Sequence, residues 1–395
     1  MPTLAQRMSK LGTEAAFQVL ARAGELQRQG RDIVNLCIGQ PDFQTPPHIV
    51  EAARKALADG HHGYTVANGI MPLREAVVAD LHRRHGVALS PEQVVVVPGG
   101  KVTMFFAIMM FGEDGTEIIH PNPGFPIYES VIRFSGASPV PMALHESKGF
   151  SFSADEVLAL ITRRTRLLIL NSPANPTGGV VPKAELDRLV AGLAAHPHVA
   201  VMSDEIYGEM IYEGTHTSLT TYPEIADRLI LLDGWSKTYA MTGWRLGYGV
   251  WPREWAVHAE RLAINAHSCV NAAAQHAGIA ALAGPREPAQ RMVASFAERR
   301  DYIIPALNAL PGVRCVNPGG AFYAFPNITG TGLDSRRLQS LLLEEAGVAT
   351  LSGTSFGAFG EGYLRLSYAA SLPMLAEAVR RIGAFLERAA PKAAE

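Results

Sequence analysis

Lysine is scarce in this chain, with 7 against 28 arginines in 395 residues, and one of the seven keeps unusual company. Lys237 follows the apolar run 229–232 and stands in Gly234-Trp235-Ser236-Lys237-Thr238-Tyr239-Ala240, with Arg245 the next charge. An amine among small and aromatic residues is desolvated and easier to deprotonate, and only the neutral amine attacks a carbonyl to form a Schiff base. The plain alternative is a strand-end lysine reaching solvent.

Other residues that could do chemistry sit in similar places. Gly99-Gly100-Lys101 opens a helical run, where bare amides offer an anion site, or simply a turn. Phe125 lies between Pro123-Gly124 and Pro126, which hold its ring at a loop. Asn175-Pro176 is a rigid turn pair whose amide can donate to a ligand. Asp204 ends the apolar run 199–202 and needs a partner for its charge, or caps a helix. Arg365, between two leucines in Tyr363-Leu364-Arg365-Leu366-Ser367, is placed to pair with a carboxylate of the protein or of a substrate.

These residues need elements to position them. Short apolar runs at Val94–Val97, 117–120, 166–170, 199–202, 229–232 and Gly247–Val250 alternate with helical stretches such as 183–195 and 255–262. That alternation predicts an α/β fold with a large domain whose mostly parallel sheet is sandwiched by helices. Ligands of such sheets bind beyond the carboxyl ends of the strands, where the motifs above lie. From about Pro285 helical stretches (289–309, 335–345, 373–390) enclose two strand candidates, 320–325 and 362–367, a smaller α+β domain. The helix-like stretch 13–29 and the loop 37–47 are expected against that second domain. The predicted division is 51–290 for the large domain, with 1–50 and 291–395 forming the small one.

Composition narrows the classes. A hydrophobic share of 48%, a charged share of 18% and a net charge of −2 describe a globular protein with no reason to bind nucleic acid. The longest apolar run, 102–111, is far short of a membrane span, and the start lacks the build of a signal peptide, so a soluble cytoplasmic protein is expected. Cys37, Cys269 and Cys315 are scattered and odd in number, which implies neither a disulfide framework nor a metal site.

In order, the chain carries Gly39-Gln40-Pro41-Asp42, Tyr64-Thr65, Gly99-Gly100-Lys101, Pro123-Gly124-Phe125-Pro126, Asn175-Pro176-Thr177-Gly178 and Asp204-Glu205-Ile206-Tyr207. Then come Ser236-Lys237, Gly243-Trp244-Arg245-Leu246-Gly247, Gly320-Ala321-Phe322-Tyr323 and Arg365-Leu366-Ser367. Over nearly its whole length the sequence resembles the class I pyridoxal-phosphate aminotransferases of the aspartate aminotransferase type, fold type I.

The resemblance implies a role for each motif. Lys237 would hold pyridoxal 5'-phosphate as a Schiff base and then shuttle the proton of the substrate Cα. Asp204 would pair with the pyridine nitrogen, Tyr207 and Asn175 with the ring's phenolic oxygen, and Phe125 would stack on the ring. The phosphate would rest on the amides of Gly100 and Lys101, on Ser236 and Arg245, and on Tyr64 from the neighbouring subunit of a homodimer. Arg365 would bind the substrate α-carboxylate with help from the Gly39 backbone and Asn175, and Asn175–Pro176 would be cis. The reaction would be a ping-pong transfer between an L-amino acid and a 2-oxo acid. A carbon–sulfur lyase or a non-catalytic cofactor-binding regulator on the same scaffold remain alternatives. The helix after Gly99-Gly100-Lys101 carries no charge, and Phe125 stands where aspartate-preferring relatives have tryptophan. The amino acid is therefore left open between aspartate and an apolar or aromatic one.

Overall fold

Runs of valine, isoleucine and leucine too short for a buried helix become strands. The computed structural model describes residues 2–389. In it β1 (Val34–Asn35) stands apart from the main sheet. That sheet contains β2 (Val94–Val97), β3 (Glu117–Asn122), β4 (Ser138–Ala143), β5 (Thr165–Asn171), β6 (Ala200–Asp204), β7 (Leu229–Gly234) and β8 (Gly247–Val250), in the order β2-β8-β7-β6-β5-β3-β4. Only β8 runs antiparallel to its neighbours β2 and β7; the other pairs are parallel.

Every residue of β2, β3, β6, β7 and β8 is buried. This is the pattern of strands covered on both faces, and it explains why they read as unbroken apolar runs. Along β5, Leu167 and Ile169 pack with Phe106, Val131 and Ala259 on one face. Leu168 and Leu170 pack with Leu186 and Leu189 on the other. The six expected strands are present, each within a few residues of its predicted bounds. β4 was not expected: its sequence Ser-Pro-Val-Pro-Met-Ala carries two prolines. It is tolerated because it is the edge strand and pairs only with β3. The helices Pro47–Ala58 and Met71–His85 likewise go beyond the elements expected from sequence.

The remaining strands, β9 (Tyr323–Ala324), β10 (Val348–Ala349), β11 (Leu351–Ser352) and β12 (Leu364–Ser367), belong to the second part of the chain. β11, β12 and β9 form an antiparallel sheet, while β1 pairs in parallel with β10. The N-terminal segment thus joins the second part and does not extend the main sheet. The strand expected over 320–325 shortens at both ends, to Tyr323–Ala324, and that over 362–367 shortens at its start. At the second, Gly362 takes the left-handed φ of 84°, which no extended strand uses. The helices follow the expected periodicity at Glu287–Asn308, Ser335–Glu344 and Leu372–Ala389; position 390 lies outside the described residues. Their apolar faces meet Phe322, Leu364 and Leu366 around Phe296, Ile303, Leu375 and Ile382, with Val34 and Leu36 added by the N-terminal segment. The expected divisions at 50/51 and 290/291 fall inside the helices Pro47–Ala58 and Glu287–Asn308. Among the described residues no helix is long and apolar enough to cross a membrane.

Candidate active site

The carboxyl ends of β5, β6 and β7 open into a cavity of roughly 630 Å³, whose far wall comes from the N-terminal segment and the second part. Gly39, Gly100, Lys101, Phe125, Asn175, Asp204, Tyr207, Ser236, Lys237, Arg245 and Arg365 all line it. Tyr64 does not. It is 94% exposed on the surface of its own chain.

Lys237 is presented by the way β7 ends. A side chain at Gly234 would collide with Gly247 on β8, its Cβ standing 2.8 Å from that Cα. Trp235 is fully buried, and its indole donates to the Gly278 carbonyl at 3.1 Å, so the turn that follows is fixed. Lys237, half-buried at the cavity wall, donates from Nζ to the Gly39 carbonyl at 2.6 Å. Burial, followed by the nearby guanidinium groups of Arg365 and Arg245, brings its amine down from 10.5 to about 8.

Asp204 closes β6 and is buried, accepting from the Tyr128 hydroxyl at 2.6 Å and from the Ile206 amide at 3.3 Å. Burial pushes its carboxyl up from 3.8 to about 6, against the pull of those two bonds. Such a carboxylate favours a cationic partner in the cavity. Asn171, the last residue of β5, donates to the Asp204 carbonyl at 3.0 Å and accepts from the Asn175 amide at 2.9 Å. It thereby registers the Asn175 loop against β6. The Asn175–Pro176 bond is cis, as expected.

Arg365, on β12, is buried. It donates from Nη1 to Asn175 Oδ1 at 3.1 Å and from Nη2 to the Cys37 carbonyl at 2.5 Å. Its guanidinium lies 4.7 Å from the Tyr323 ring centre and 4.9 Å from that of Phe356. Its Nε is buried without a hydrogen-bond partner among the described residues, a donor suited to an anionic ligand. Tyr207 and Tyr323 share a hydrogen bond of 2.7 Å between their hydroxyls. Burial raises both phenols, so both hydroxyls keep their protons near neutral pH.

At the other end, Gly100 precedes the helix Lys101–Phe111, and Gly99 adopts φ 93°. A methyl group at Gly99 would lie 2.1 Å from Arg245 Nη2, and one at Gly247 would lie 2.3 Å from the Gly100 nitrogen. The glycines leave a cradle open between helix amides, the buried Ser236 and the Arg245 guanidinium, and that combination suits a phosphate dianion. Phe125 faces the cavity and packs edge-on against Tyr128, 5.7 Å between ring centres. An aromatic face, a desolvated amine, a buried carboxylate and an anion cradle around one cavity fit pyridoxal phosphate. No cluster of His, Cys, Asp or Glu suited to a metal occurs among the described residues.

Three residues at the site were missed from sequence. Tyr128 lies in the first turn of the helix Ile127–Ser135, and its hydroxyl reaches Asp204 on β6, 76 residues further along the chain. Tyr323 lay in a quoted motif without a role. Glu14 pairs with the Lys101 side chain across the cavity mouth, a contact 87 residues apart that no local pattern signals.

Residues 31–382 match the family model described as aminotransferase class I and II. The chain is 37% identical to the aspartate aminotransferase of Geobacillus stearothermophilus, an alignment covering 97% of this chain and 99% of that one. The crystal structure of the aspartate aminotransferase from Rhizobium meliloti superposes with a TM-score of 0.94 at 34% identity, covering 98% and 100% of the two chains. That of an aromatic aminotransferase from Pyrococcus horikoshii OT3 gives 0.88 at 36% identity over 90% and 96%.

Proposed function

The chain belongs to the class I and II aminotransferases, and from that premise we propose how its own residues divide the work. It is a pyridoxal-phosphate-dependent enzyme that moves an amino group between an amino acid and a 2-oxo acid in two half-reactions. The lyase and the non-catalytic regulator are not favoured. The observation that carries the assignment of roles is the Lys237 amine, brought down to about 8 in a cavity it shares with Asp204 and Arg365.

The cofactor, when bound, supplies an electron sink for the negative charge left at the substrate Cα. Lys237 is the base that removes the Cα proton in one half-reaction and returns it in the other, and its lowered pKa suits both directions. Asp204, held by Tyr128, is the anion opposite the ring nitrogen. The Tyr207 hydroxyl and the Asn175 amide are the donors to the ring oxygen. Phe125 covers the ring, while the Gly100 and Lys101 amides, Ser236 and Arg245 hold the phosphate. Arg365 receives the substrate α-carboxylate, with the Gly39 backbone and Asn175 beside it.

Two further points belong to the same proposal. The enzyme works as a homodimer in which Tyr64 reaches the partner's phosphate; its exposure on its own chain supports this. The sheet β2–β8 with its helices forms the cofactor-binding domain. The N-terminal segment (1–50) and the chain from 291 on, which includes most of the long helix Glu287–Asn308, form a second domain, which closes over the substrate and excludes water.

The test is a half-reaction screen: holoenzyme is mixed with single amino acids and no acceptor while the cofactor spectrum is followed. Conversion with stoichiometric 2-oxo acid supports the reading. Catalytic ammonia release without an acceptor would instead make it a lyase.

A further inference from the structure

We infer that Glu14 sets the substrate class: by occupying Lys101 it makes the site accept amino acids with uncharged, apolar or aromatic side chains and disfavour those with a second carboxylate. The inference rests on the aminotransferase reading and deepens it.

Among the described residues, four cationic side chains line the cavity: Lys101, Lys237, Arg245 and Arg365. Three have tasks already, at the reacting carbon, the phosphate and the α-carboxylate. A second carboxylate on the substrate would need Lys101, and Lys101 is held by Glu14. The pairing has a local reason. Lys101 is the first residue of the helix Lys101–Phe111, where the helix dipole disfavours a cation. Glu14 directly precedes the helix Ala15–Arg28, where an anion is favoured. Each charge eases the other, and Lys101 also lies 5.3 Å over the Phe125 ring.

An incoming dicarboxylate would have to break this pair and then face the Glu14 carboxylate, a repulsive element of the kind that sets specificity. The walls left for the substrate side chain are apolar: Phe17, Ile38, Met104, Phe125, Leu351 and Phe356. Gln40 and Ser355 add only neutral polar groups.

The experiment measures half-reaction rate constants of the holoenzyme with phenylalanine, leucine, aspartate and glutamate. The wild type should convert the first two faster than the last two. Glu14→Gln should raise the second-order constant for aspartate about tenfold while leaving phenylalanine within about threefold. Adding Lys101→Met to that variant should abolish the gain, because the freed cation is what the second carboxylate uses. A wild type that prefers aspartate, an unchanged aspartate rate in Glu14→Gln, or a gain that survives Lys101→Met overturns the inference. A holoenzyme that no amino acid converts overturns the aminotransferase reading, and this inference with it.

Discussion

Lys237 donates from Nζ to the backbone carbonyl of Gly39 at 2.6 Å, joining the end of β7 to a segment 198 residues earlier in the chain. Gly39 in turn lies so close to Tyr323 that a Cβ there would stand 2.1 Å from the phenol oxygen. The proposed base, the N-terminal segment and the second part of the chain therefore meet at one glycine. In the proposed closure, movement of that segment toward a substrate would be felt by the lysine it touches.

The surroundings of the lysine amine set a pH dependence. Burial first, then Arg365 and Arg245, lowers its pKa to about 8. The rate at which apoenzyme captures pyridoxal phosphate should rise with pH through about 8, since only the neutral amine attacks the carbonyl. Arg365→Leu removes a nearby cation and should move that midpoint upward. A midpoint unchanged by Arg365→Leu would show that Arg365 exerts no such influence.

Asp204 makes a stability prediction with a definite sign. Its carboxyl stands near 3.8 when unfolded and about 6 in the folded chain, so the folded protein resists its ionisation. Stability is unaffected below the lower value and is lost as pH rises through the higher one. In apoenzyme, Asp204→Asn should therefore gain up to about 3 kcal/mol at pH 7.5, a gain that shrinks as pH falls toward 4. The same variant should lose most activity. Denaturant titrations of both apoproteins at several pH values check this; a loss of stability at pH 7.5 would contradict it.

Gly39→Ala should lower activity by pushing a methyl group into the Tyr323 hydroxyl. Tyr323→Phe removes the atom met at 2.1 Å and leaves the ring carbon at 3.0 Å, so the double variant should recover part of the loss. A double variant no better than Gly39→Ala places the damage elsewhere, and steady-state kinetics decides.

Arg365→Ala should weaken every amino acid substrate, because truncating one member of a buried charge pair costs about 2–5 kcal/mol. Saturation curves of the half-reaction should shift for all amino acids together. An effect confined to one amino acid would remove Arg365 from the α-carboxylate.

The shared site can be tested by mixing. Tyr64→Ala and Lys237→Ala proteins, each impaired alone, should regain activity when unfolded and refolded together, since one site of the hybrid then has both residues intact. Activity equal to the sum of the parents would place Tyr64 outside the partner's site.

Much of this site was legible because its residues follow strand ends, where composition changes abruptly: Asp204 after 199–202, Lys237 after 229–232, and Gly99-Gly100 after Val94–Val97. Doubly buried strands of leucine and valine announce themselves, whereas β4, a proline-bearing edge strand, does not. The contacts hidden from sequence join distant segments. Tyr128 reaches Asp204 across 76 residues, Tyr207 meets Tyr323 across 116, and Glu14 finds Lys101 across 87. No local pattern encodes such pairs: the first forms within the helix-covered sheet, the second where the second part packs on the first, and the third where the N-terminal segment does.

The central claim is that one of seven lysines carries the cofactor and the proton. Reducing the holoenzyme with borohydride locks pyridoxal phosphate onto the amine that holds it, and peptide mapping then names that amine. The account predicts the label on Lys237 alone, and none after Lys237→Ala. A label on Lys101 or another lysine, with Lys237 unmodified, would contradict it.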